Sequence, residues 1–253
     1  MEWEKETALA EQATVAAGRK LRNVSRDDII DAGGRDVKHR ADLVSEEIII
    51  ETLQKGSSYP VLTEERGELG MVDSDSPVWI IDPLDGTVNY SRRICLCCVS
   101  VALWHGDNPV LGVINDFNHR EIFSGVVGEK AMCNGNPISV SNAGTPQDAI
   151  LATGFPVNRD FSSKAIMDFL SRVQEFKKIR LLGSAALSLA YTACGRIDAY
   201  TEEDIMLWDV AAGIAIVEAA GGFVSFKKSK EKQRLTEVWA GKVFRDKIKG
   251  GPV

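Results

Sequence analysis

One segment, residues 78–90, constrains this chain more than any other, because an apolar stretch runs directly into two closely spaced carboxylates. Its first four residues have the character of a buried β-strand. Asp82 and Asp85 follow, and Pro83 between them stiffens the backbone. Rigid carboxylates at the end of a buried strand suit a hard cation such as Mg²⁺. The glycine and threonine that come next add amides and a hydroxyl for an anion. The segment therefore predicts a joint metal and phosphate site.

Composition narrows the classes of protein that this segment can serve. The chain has 253 residues, of which 44% are hydrophobic, and its formal net charge is −6. That is ample for a large core in one unit or in two closely packed subdomains. The acidic balance argues against a nucleic-acid partner. It does not argue against a phosphorylated substrate, because carboxylates loaded with a divalent metal are locally positive.

The cysteines and the N-terminal segment predict a cytoplasmic protein. The cysteine count is five, an odd number without a repeating framework, which favours a reducing compartment. The first residues are too charged for a signal peptide, and no stretch approaches the roughly 20 apolar residues that span a bilayer. The cluster at residues 95–98 has the wrong spacing for a thiolate zinc site, so we interpret it as small apolar residues in a buried strand.

Hydrophobic periodicity predicts helices, then mainly antiparallel strands, then alternating helices and strands. Helices are expected at residues 2–23, 42–55, 162–175, 184–194 and 209–219. Strands are expected at residues 59–63, 78–81, 95–104, 110–115, 121–127, 138–140 and 197–201. Residues 26–40 read as a loop or irregular hairpin, and the charge run at 227–232 as a solvated loop. This order describes a layered α+β or α/β architecture with two subdomains, residues 1–144 and 145–253.

Further acidic residues lie beside apolar stretches, and each has a structural alternative. Asp42 and Asp209 stand at predicted helix starts, where either can simply be a cap. Glu64 and Glu65 can be ordinary surface charge, and Asp85 can belong to a plain turn. The density of carboxylates near buried segments, with few Lys or Arg nearby, favours a divalent metal as their partner.

Two other features are open to both a structural and a functional interpretation. Ser184 follows Gly183 at a predicted helix start, where it can cap the helix while the amides there hold an anion or a substrate hydroxyl. Glu202 is either a loop charge or a polar contact to a hydroxylated substrate. Nucleophilic chemistry has little support, because the chain has neither a Gly-x-Ser-x-Gly elbow nor a P-loop.

Together these motifs resemble the signatures of the inositol monophosphatase family. The first signature corresponds to residues 82–90 and the second to residues 208–222, with Glu64-Glu65 and the segment 183–186 in the expected order. The resemblance covers about residues 40–224. It implies an αβαβα sandwich of the sugar-phosphatase type and a Mg²⁺-dependent, lithium-sensitive phosphatase. It also implies a homodimer.

The resemblance also implies a role for each matching residue. One Mg²⁺ would be held by Glu64, Asp82 and the Leu84 carbonyl, and a second by Asp82, Asp85 and Asp209, with two or three ions per site. Asp42, Glu64 and Thr87 would form the catalytic group, in which Thr87 and Asp42 orient and help deprotonate the attacking water. The expected substrate contacts are Asp85, Gly86, Thr87, Gly183, Ser184, Ala185, Glu202 and Asp209.

The expected activity is Mg²⁺-dependent hydrolysis of a small phosphorylated alcohol or sugar, foremost inositol monophosphate. Fructose 1,6-bisphosphate, histidinol phosphate and 3′-phosphoadenosine 5′-phosphate are alternatives within the same family. A regulatory or scaffold protein on the same fold is the alternative without catalysis. Two metals bridging a phosphate would neutralise its charge and lower the pKa of a bound water, so no covalent enzyme intermediate is needed.

Overall fold

A computed structural model describes residues 3–24, 29–31, 38–71, 76–155, 160–230 and 233–244. The α-helices in these ranges are α1 (Glu4–Leu21), α2 (Arg40–Gln54), α3 (Thr87–Ser91), α4 (Ser163–Val173), α5 (Ala185–Ala193) and α6 (Leu207–Ala219). The strands are β1 (Ile29–Asp31), β2 (Lys38–His39), β3 (Val61–Thr63), β4 (Gly67–Leu69), β5 (Pro77–Asp85), β6 (Cys98–His105), β7 (Asn108–Asp116), β8 (Glu121–Val126), β9 (Ala131–Cys133), β10 (Asn136–Pro137), β11 (Ile150–Ala152), β12 (Lys178–Arg180), β13 (Ala199–Met206), β14 (Val224–Lys228) and β15 (Arg234–Ala240).

The strands form two large sheets and one hairpin. An eight-stranded sheet has the order β10-β9-β8-β7-β6-β5-β3-β4, and a five-stranded sheet has the order β12-β11-β13-β15-β14. Most neighbours are antiparallel, but β3 runs parallel to β5, and β11 runs parallel to both β12 and β13. The hairpin of β1 and β2 lies within the segment expected to be a loop or irregular hairpin; residues 25–28 and 32–37 lie outside the described residues.

Three apolar cores stack the helices and sheets into five layers. Helices α1 and α2 cover one face of the eight-stranded sheet, and α5 and α6 fill the space between the two sheets. Helix α4 closes the outer face of the five-stranded sheet by burying Phe169 and Val173 against Leu151 and Trp239. The αβαβα sandwich is therefore confirmed.

Helix α6 is buried because its sequence is apolar around its whole circumference. Ten of its residues are buried. One glycine of its own and one glycine on β7 let its backbone approach its neighbours closely. A Cβ atom added to Gly112 of β7 would lie 2.2 Å from the carbonyl oxygen of Ala212, and one added to Gly213 would lie 2.4 Å from Leu189 Cβ on α5. Direct backbone contact therefore fixes the position of α6, and with it the start of that helix.

Several sequence predictions need correction. Residues 138–140 are not a strand; the chain instead forms the short strands β9 and β10 before them. In the run at 227–232, Lys227 and Lys228 lie in β14, and Lys227 forms an ion pair of 3.0 Å with Glu237; residues 231–232 lie outside the described residues. Cys95 is exposed, whereas Cys97 and Cys98 are buried as expected. Among the described helices, none is long and apolar enough to cross a membrane.

Candidate active site

A β-bulge brings Asp82 and Asp85 to the same face of β5. Residues three apart in a regular strand point to opposite faces. In β5, however, Asp82 pairs with Ser100 and Asp85 with Cys98, so that three steps along β5 match two along β6. Because of the extra residue, the side chains of Asp82 and Asp85 point to the same face of the strand, and both carboxylates face α5 and α6. The strand therefore continues through both aspartates, four residues beyond its predicted end.

The bulge is held by hydrogen bonds from both sides. The Ser45 hydroxyl on α2 donates to the Pro83 carbonyl at 2.6 Å, and the Leu84 amide donates to Asp82 Oδ1 at 3.0 Å. The Leu84 carbonyl lies 3.0 Å from the Thr87 hydroxyl. Because the buried backbone groups have partners, the irregular geometry can persist in the core.

Asp85 lies at the N-terminus of α5. Its Oδ2 accepts hydrogen bonds from the Ser184 hydroxyl, from the Ala186 amide at 2.8 Å and, more weakly, from the Cys98 thiol at 3.7 Å. The Ser184 oxygen also accepts from the Leu187 amide at 3.2 Å, which confirms the helix-cap interpretation. The anion at this helix start is thus a carboxylate of the protein itself, and the substrate contact expected of Gly183, Ser184 and Ala185 stays a prediction.

Asp209 lies in the first turn of α6, where it can both cap the helix and serve as a metal ligand. Its Oδ2 accepts from the Met206 amide at 3.3 Å, as a capping residue does. Its pKa is raised well above 3.8, first by burial and then by the negative charges of Glu64, Asp85 and Glu202. A carboxylate that serves only as a cap would not have three acidic neighbours.

The other two aspartates are also electrostatically strained. Burial raises the pKa of Asp82 well above 3.8, and Glu64, Asp85 and Asp209 raise it further. Burial likewise raises the pKa of Asp85, although the hydrogen bonds from Ser184 and the α5 amides oppose that rise. Among the described residues, no Lys or Arg forms an ion pair with any of these three aspartates. In the part of the chain that the structure describes, these three aspartates therefore have no compensating positive charge.

Glu64 reaches this group because β3 is the parallel neighbour of β5. Thr63 pairs with Ile81 in register, so Glu64 follows β3 beside Asp82. Glu46, a residue that the sequence did not single out, holds this strand end: it is fully buried, accepts from the Thr63 hydroxyl at 2.7 Å and pairs with Arg66 at 2.9 Å. Glu65 is half-buried beside Glu64.

Thr87 and Asp42 are in contact. The Thr87 hydroxyl lies 2.9 Å from Asp42 Oδ1, and Asp42 is 2% exposed in the first turn of α2. Thr87 begins the short helix α3 directly after the bulge. The two residues predicted to handle the attacking water are therefore brought together by α2 and α3.

Gly86 and Gly183 meet where the first signature approaches the segment 183–186. Gly86 has a φ of +88°, and a Cβ on it would lie 2.8 Å from the Leu96 carbonyl and 3.2 Å from that of Gly183. Asn89 Nδ2 donates to the carbonyls of Leu96 at 2.7 Å and Leu182 at 2.8 Å. Asn89 belongs to the first signature, but no sequence pattern predicts that it joins the chain near Leu96 to the segment 182–183.

Glu202 lies on β13 and reaches the same cluster. It is 8% exposed and accepts from the Tyr200 hydroxyl at 2.8 Å. A Cβ on Gly154 would lie 2.5 Å from Glu202 Oε1, so this glycine makes room for the carboxylate. Glu202 also raises the pKa of Asp209. The loop-charge alternative is therefore wrong, because Glu202 lies in a strand and its side chain is buried.

The donor set is suited to a hard divalent cation, since it consists of carboxylates and a backbone carbonyl. In the described part of the chain, however, no three His, Cys, Asp or Glu side chains are already gathered as a ready-made metal cluster. The carboxylates are close enough to raise one another's pKa values. Their chemistry fits Mg²⁺. A bound ion would draw the carboxylates closer together.

Comparison with known proteins gives a consistent result. The sequence model of the inositol monophosphatase family matches residues 2–242. An inositol-1-monophosphatase from Synechocystis is 36% identical over 222 residues, which covers 86% of this chain and 77% of that protein. The Nus factor SuhB of Escherichia coli K12 is 36% identical over 225 residues, covering 86% and 83% respectively.

Solved structures show the same similarity. An inositol monophosphatase from Anabaena superposes with a TM-score of 0.84 at 32% identity, over 98% of this chain and 95% of the other. The extragenic suppressor protein SuhB from Bartonella henselae superposes with a TM-score of 0.82 at 32% identity, over 96% of both chains. Both the sequence and the five-layer fold therefore point to one group of proteins.

Proposed function

Because this chain belongs to the inositol monophosphatase family, we propose that it is a phosphoric monoester hydrolase that uses a metal-activated water. The observation that carries this proposal is the group of buried carboxylates Asp82, Asp85 and Asp209, which have no described cation partner. Burial raises the pKa of each, and neighbouring carboxylates raise the pKa values of Asp82 and Asp209 further. A group of this kind destabilises the fold unless a cation binds it. We infer that the cation is Mg²⁺.

Five groups would hold the metal: the carboxylates of Glu64, Asp82, Asp85 and Asp209 and the Leu84 carbonyl. When bound, two or three Mg²⁺ ions would neutralise the phosphate charge, lower the pKa of a water and stabilise the leaving alkoxide. Asp85 is suited to this role because hydrogen bonds from the Ser184 hydroxyl, the Ala186 amide and the Cys98 thiol to Oδ2 hold its carboxylate in place.

Thr87 and Asp42 would position the attacking water. A Thr87 hydroxyl that donates to Asp42 Oδ1 keeps a lone pair with which to accept a proton from water. Asp42 is buried and can take that proton through the hydroxyl. The Leu84 carbonyl competes for the same hydroxyl proton at 3.0 Å. A metal on that carbonyl would remove the competition.

The phosphate and the alcohol would lie on opposite sides of this group. The amides of Gly86 and Thr87 begin α3 and are placed for phosphate oxygens, and Gly86 has no side chain to obstruct them. Glu202, on the five-stranded sheet, would contact the hydroxyls of the alcohol together with the segment Gly183 to Ala185. Asp85 and Asp209 would lie between the two regions.

Inositol monophosphate is the first substrate to test, and fructose 1,6-bisphosphate, histidinol phosphate and 3′-phosphoadenosine 5′-phosphate are the alternatives. Phosphate release should be measured with each ester in Mg²⁺ and in EDTA, for the wild type and for Asp82→Asn. We expect Mg²⁺-dependent release, with the highest kcat/KM for inositol 1-phosphate, and loss of more than about 100-fold in Asp82→Asn. Release without metal, or wild-type turnover by a folded Asp82→Asn, would sink the proposal.

The second candidate is a regulatory protein without catalysis, which the name Nus factor of the SuhB relatives raises. A chain that has lost catalysis should have lost metal carboxylates, and here all of the expected ones are present. Absence of release from every ester, in a protein that still binds Mg²⁺, would favour the regulatory candidate. We also propose a homodimer in the cytoplasm; size-exclusion chromatography with light scattering tests the dimer.

A further inference from the structure

A second polar cavity lies away from the candidate active site. It has a volume of about 480 Å³ and is formed by the second half of α1 and the end of β7 with the turn that follows. Three arginines line it: Arg19 from α1, Arg22 directly after that helix, and Arg120 from the turn. Among the described residues, no Asp or Glu belongs to its lining.

Within the described ranges, these arginines have no ion pair with an acidic residue. Among the described residues, neither Arg19 nor Arg120 forms an ion pair, and the one described side-chain contact of Arg22 is a hydrogen bond of 3.3 Å to the Phe117 carbonyl. Glu121, the residue after Arg120, pairs with Arg196 instead, because both of its oxygens accept hydrogen bonds from Arg196 at 2.5 Å. The chain has a net charge of −6, so these three guanidinium groups form a local region of positive charge on an otherwise acidic protein.

The turn that presents Arg120 is fixed in an unfavourable backbone conformation. Arg120 has a φ of +59°, a region that residues with a side chain seldom adopt. Asn134 holds it there, because its Nδ2 donates to the Arg120 carbonyl at 3.1 Å and its Oδ1 accepts from the Ile122 amide at 2.9 Å. Backbone conformations of this cost often mark binding sites.

The opposite wall is equally fixed. A Cβ on Gly18 would lie 2.7 Å from Asn115 Nδ2 and 2.9 Å from Phe117 Cβ, so α1 touches β7 at this glycine. Asn115 Nδ2 also donates to the Thr14 carbonyl at 2.8 Å. Arg19 follows the close contact directly and Arg22 comes one turn later. The cavity therefore has a rigid frame and is not a gap between mobile surface chains.

The cavity lies on the other face of the sheet from the carboxylate group. Asp82 shares the face of Ile80, which packs in the core with α5 and α6, whereas Asn115 faces α1. The buried ring of Tyr90 also packs edge-on against Phe117, with centroids 6.4 Å apart. A ligand in this cavity therefore does not contact the candidate metal ligands.

We propose that this cavity binds a small anion that carries phosphate groups. Guanidinium groups present several N–H donors in a planar fork that matches phosphate oxygens, and such charge-assisted hydrogen bonds are stronger than neutral ones. Three arginines around one concave site can bond two phosphate groups at once. The site is independent of the proposed hydrolysis and needs no metal.

Isothermal titration of the full chain with inorganic pyrophosphate in EDTA tests this proposal, because the metal-free carboxylate group repels anions. We expect one site, with Kd at least tenfold weaker in Arg22→Gln and in Arg120→Gln. Arg19→Gln, which removes an exposed side chain without a described partner, should weaken binding in the same way without affecting the fold. Lys20→Gln carries the same charge change just outside the cavity and should alter Kd less than twofold.

Four results would overturn the proposal: no binding of pyrophosphate, equal binding by the arginine variants, an equal loss in Lys20→Gln, or a change of more than twofold in Kd in Asp82→Asn. The last would place the anion at the carboxylate group. Binding of a single-stranded oligonucleotide without any binding of pyrophosphate would also contradict a small-anion site. Retained pyrophosphate binding by a chain that releases no phosphate from esters would support this cavity while rejecting the proposed hydrolysis.

Discussion

At the scale of single residues, the carboxylate of Asp85 is held by several hydrogen bonds. Its Oδ2 accepts from the Ser184 hydroxyl, the Ala186 amide and the Cys98 thiol, and the Ala185 amide also bonds the carboxylate. A carboxylate held in this way by outer contacts is oriented before a metal binds, which lowers the entropy lost on binding. Ser184 therefore has a defined task even without touching a substrate.

Replacing Ser184 by alanine separates this task from a direct substrate contact. In Ser184→Ala, the Mg²⁺ concentration for half-maximal activity should rise about tenfold or more, because Asp85 loses a buried hydrogen-bond donor. The KM for the phosphate ester at saturating Mg²⁺ should change little. Steady-state kinetics at varied Mg²⁺ and ester concentrations measure both quantities.

Ser188→Ala is the matched control, since Ser188 lies on the same helix and donates to the Ser184 carbonyl at 2.7 Å without a described contact to Asp85. Its Mg²⁺ dependence should resemble that of the wild type. An unchanged Mg²⁺ requirement in Ser184→Ala, together with a raised KM for the ester, would instead support the direct substrate contact that the family resemblance implies.

At the scale of elements, the position of α6 depends on its approach to β7. Alanine at position 112 would place a Cβ within 2.2 Å of a backbone carbonyl of α6, which cannot move aside as a side chain can. We expect Gly112→Ala to lower the free energy of unfolding by about 3 kcal/mol, at the upper end of the usual cost of overpacking. Urea denaturation measures the change.

Gly144→Ala provides the control for this substitution. Nothing lies within 4 Å of a Cβ at Gly144, and the chain there does not have a left-handed φ. Its free energy of unfolding should stay within roughly 0.5 kcal/mol of the wild type. A Gly112→Ala protein of unchanged stability would mean that β7 and α6 are farther apart than described.

The sequence predicted helices and strands where the hydrophobic pattern was long, and it predicted the metal site where several carboxylates lie beside apolar segments. Helix α6 was evident from its apolar run, and Asp82, Asp85 and Asp209 from their apolar neighbours. The bulge in β5 was not predictable, because only pairing with β6 reveals the extra residue. Strands β11 and β12 have three residues each, too few to establish a period. Asn89 and Glu46 were missed because their partners are distant in sequence.

At the scale of the whole molecule, the site draws on both halves of the chain. Asp82 and Asp85 come from the eight-stranded sheet, Asp209 from the helix layer between the sheets, and Glu202 from the five-stranded sheet. One continuous core joins residues of both halves around α5 and α6. The division at residue 144 stays a prediction, but the chain does change from one large sheet to the other near it.

This arrangement predicts how metal and pH together control stability. Burial and mutual repulsion raise the pKa values of Asp82 and Asp209 above 3.8 in the folded chain. As pH rises above about 4, the unfolded chain releases protons that the folded chain still holds, so the free energy of unfolding of metal-free protein should fall until the folded pKa values are passed.

Mg²⁺ should oppose this loss, because it binds carboxylates in their ionised form and competes with protons for them. The rise in Tm on adding saturating Mg²⁺ should therefore be larger at pH 8 than at pH 5, by about 3 °C for each kcal/mol of differential binding.

Asp82→Asn, which removes one of the strained carboxylates, should be more stable than the wild type without metal at pH 8 and should show a smaller effect of Mg²⁺. Scanning calorimetry of both proteins in EDTA and in Mg²⁺ at the two pH values measures these differences. Equal Mg²⁺ effects at pH 5 and pH 8, or an Asp82→Asn protein that gains as much from Mg²⁺ as the wild type, would show that the ion binds elsewhere and that the raised pKa values have another cause.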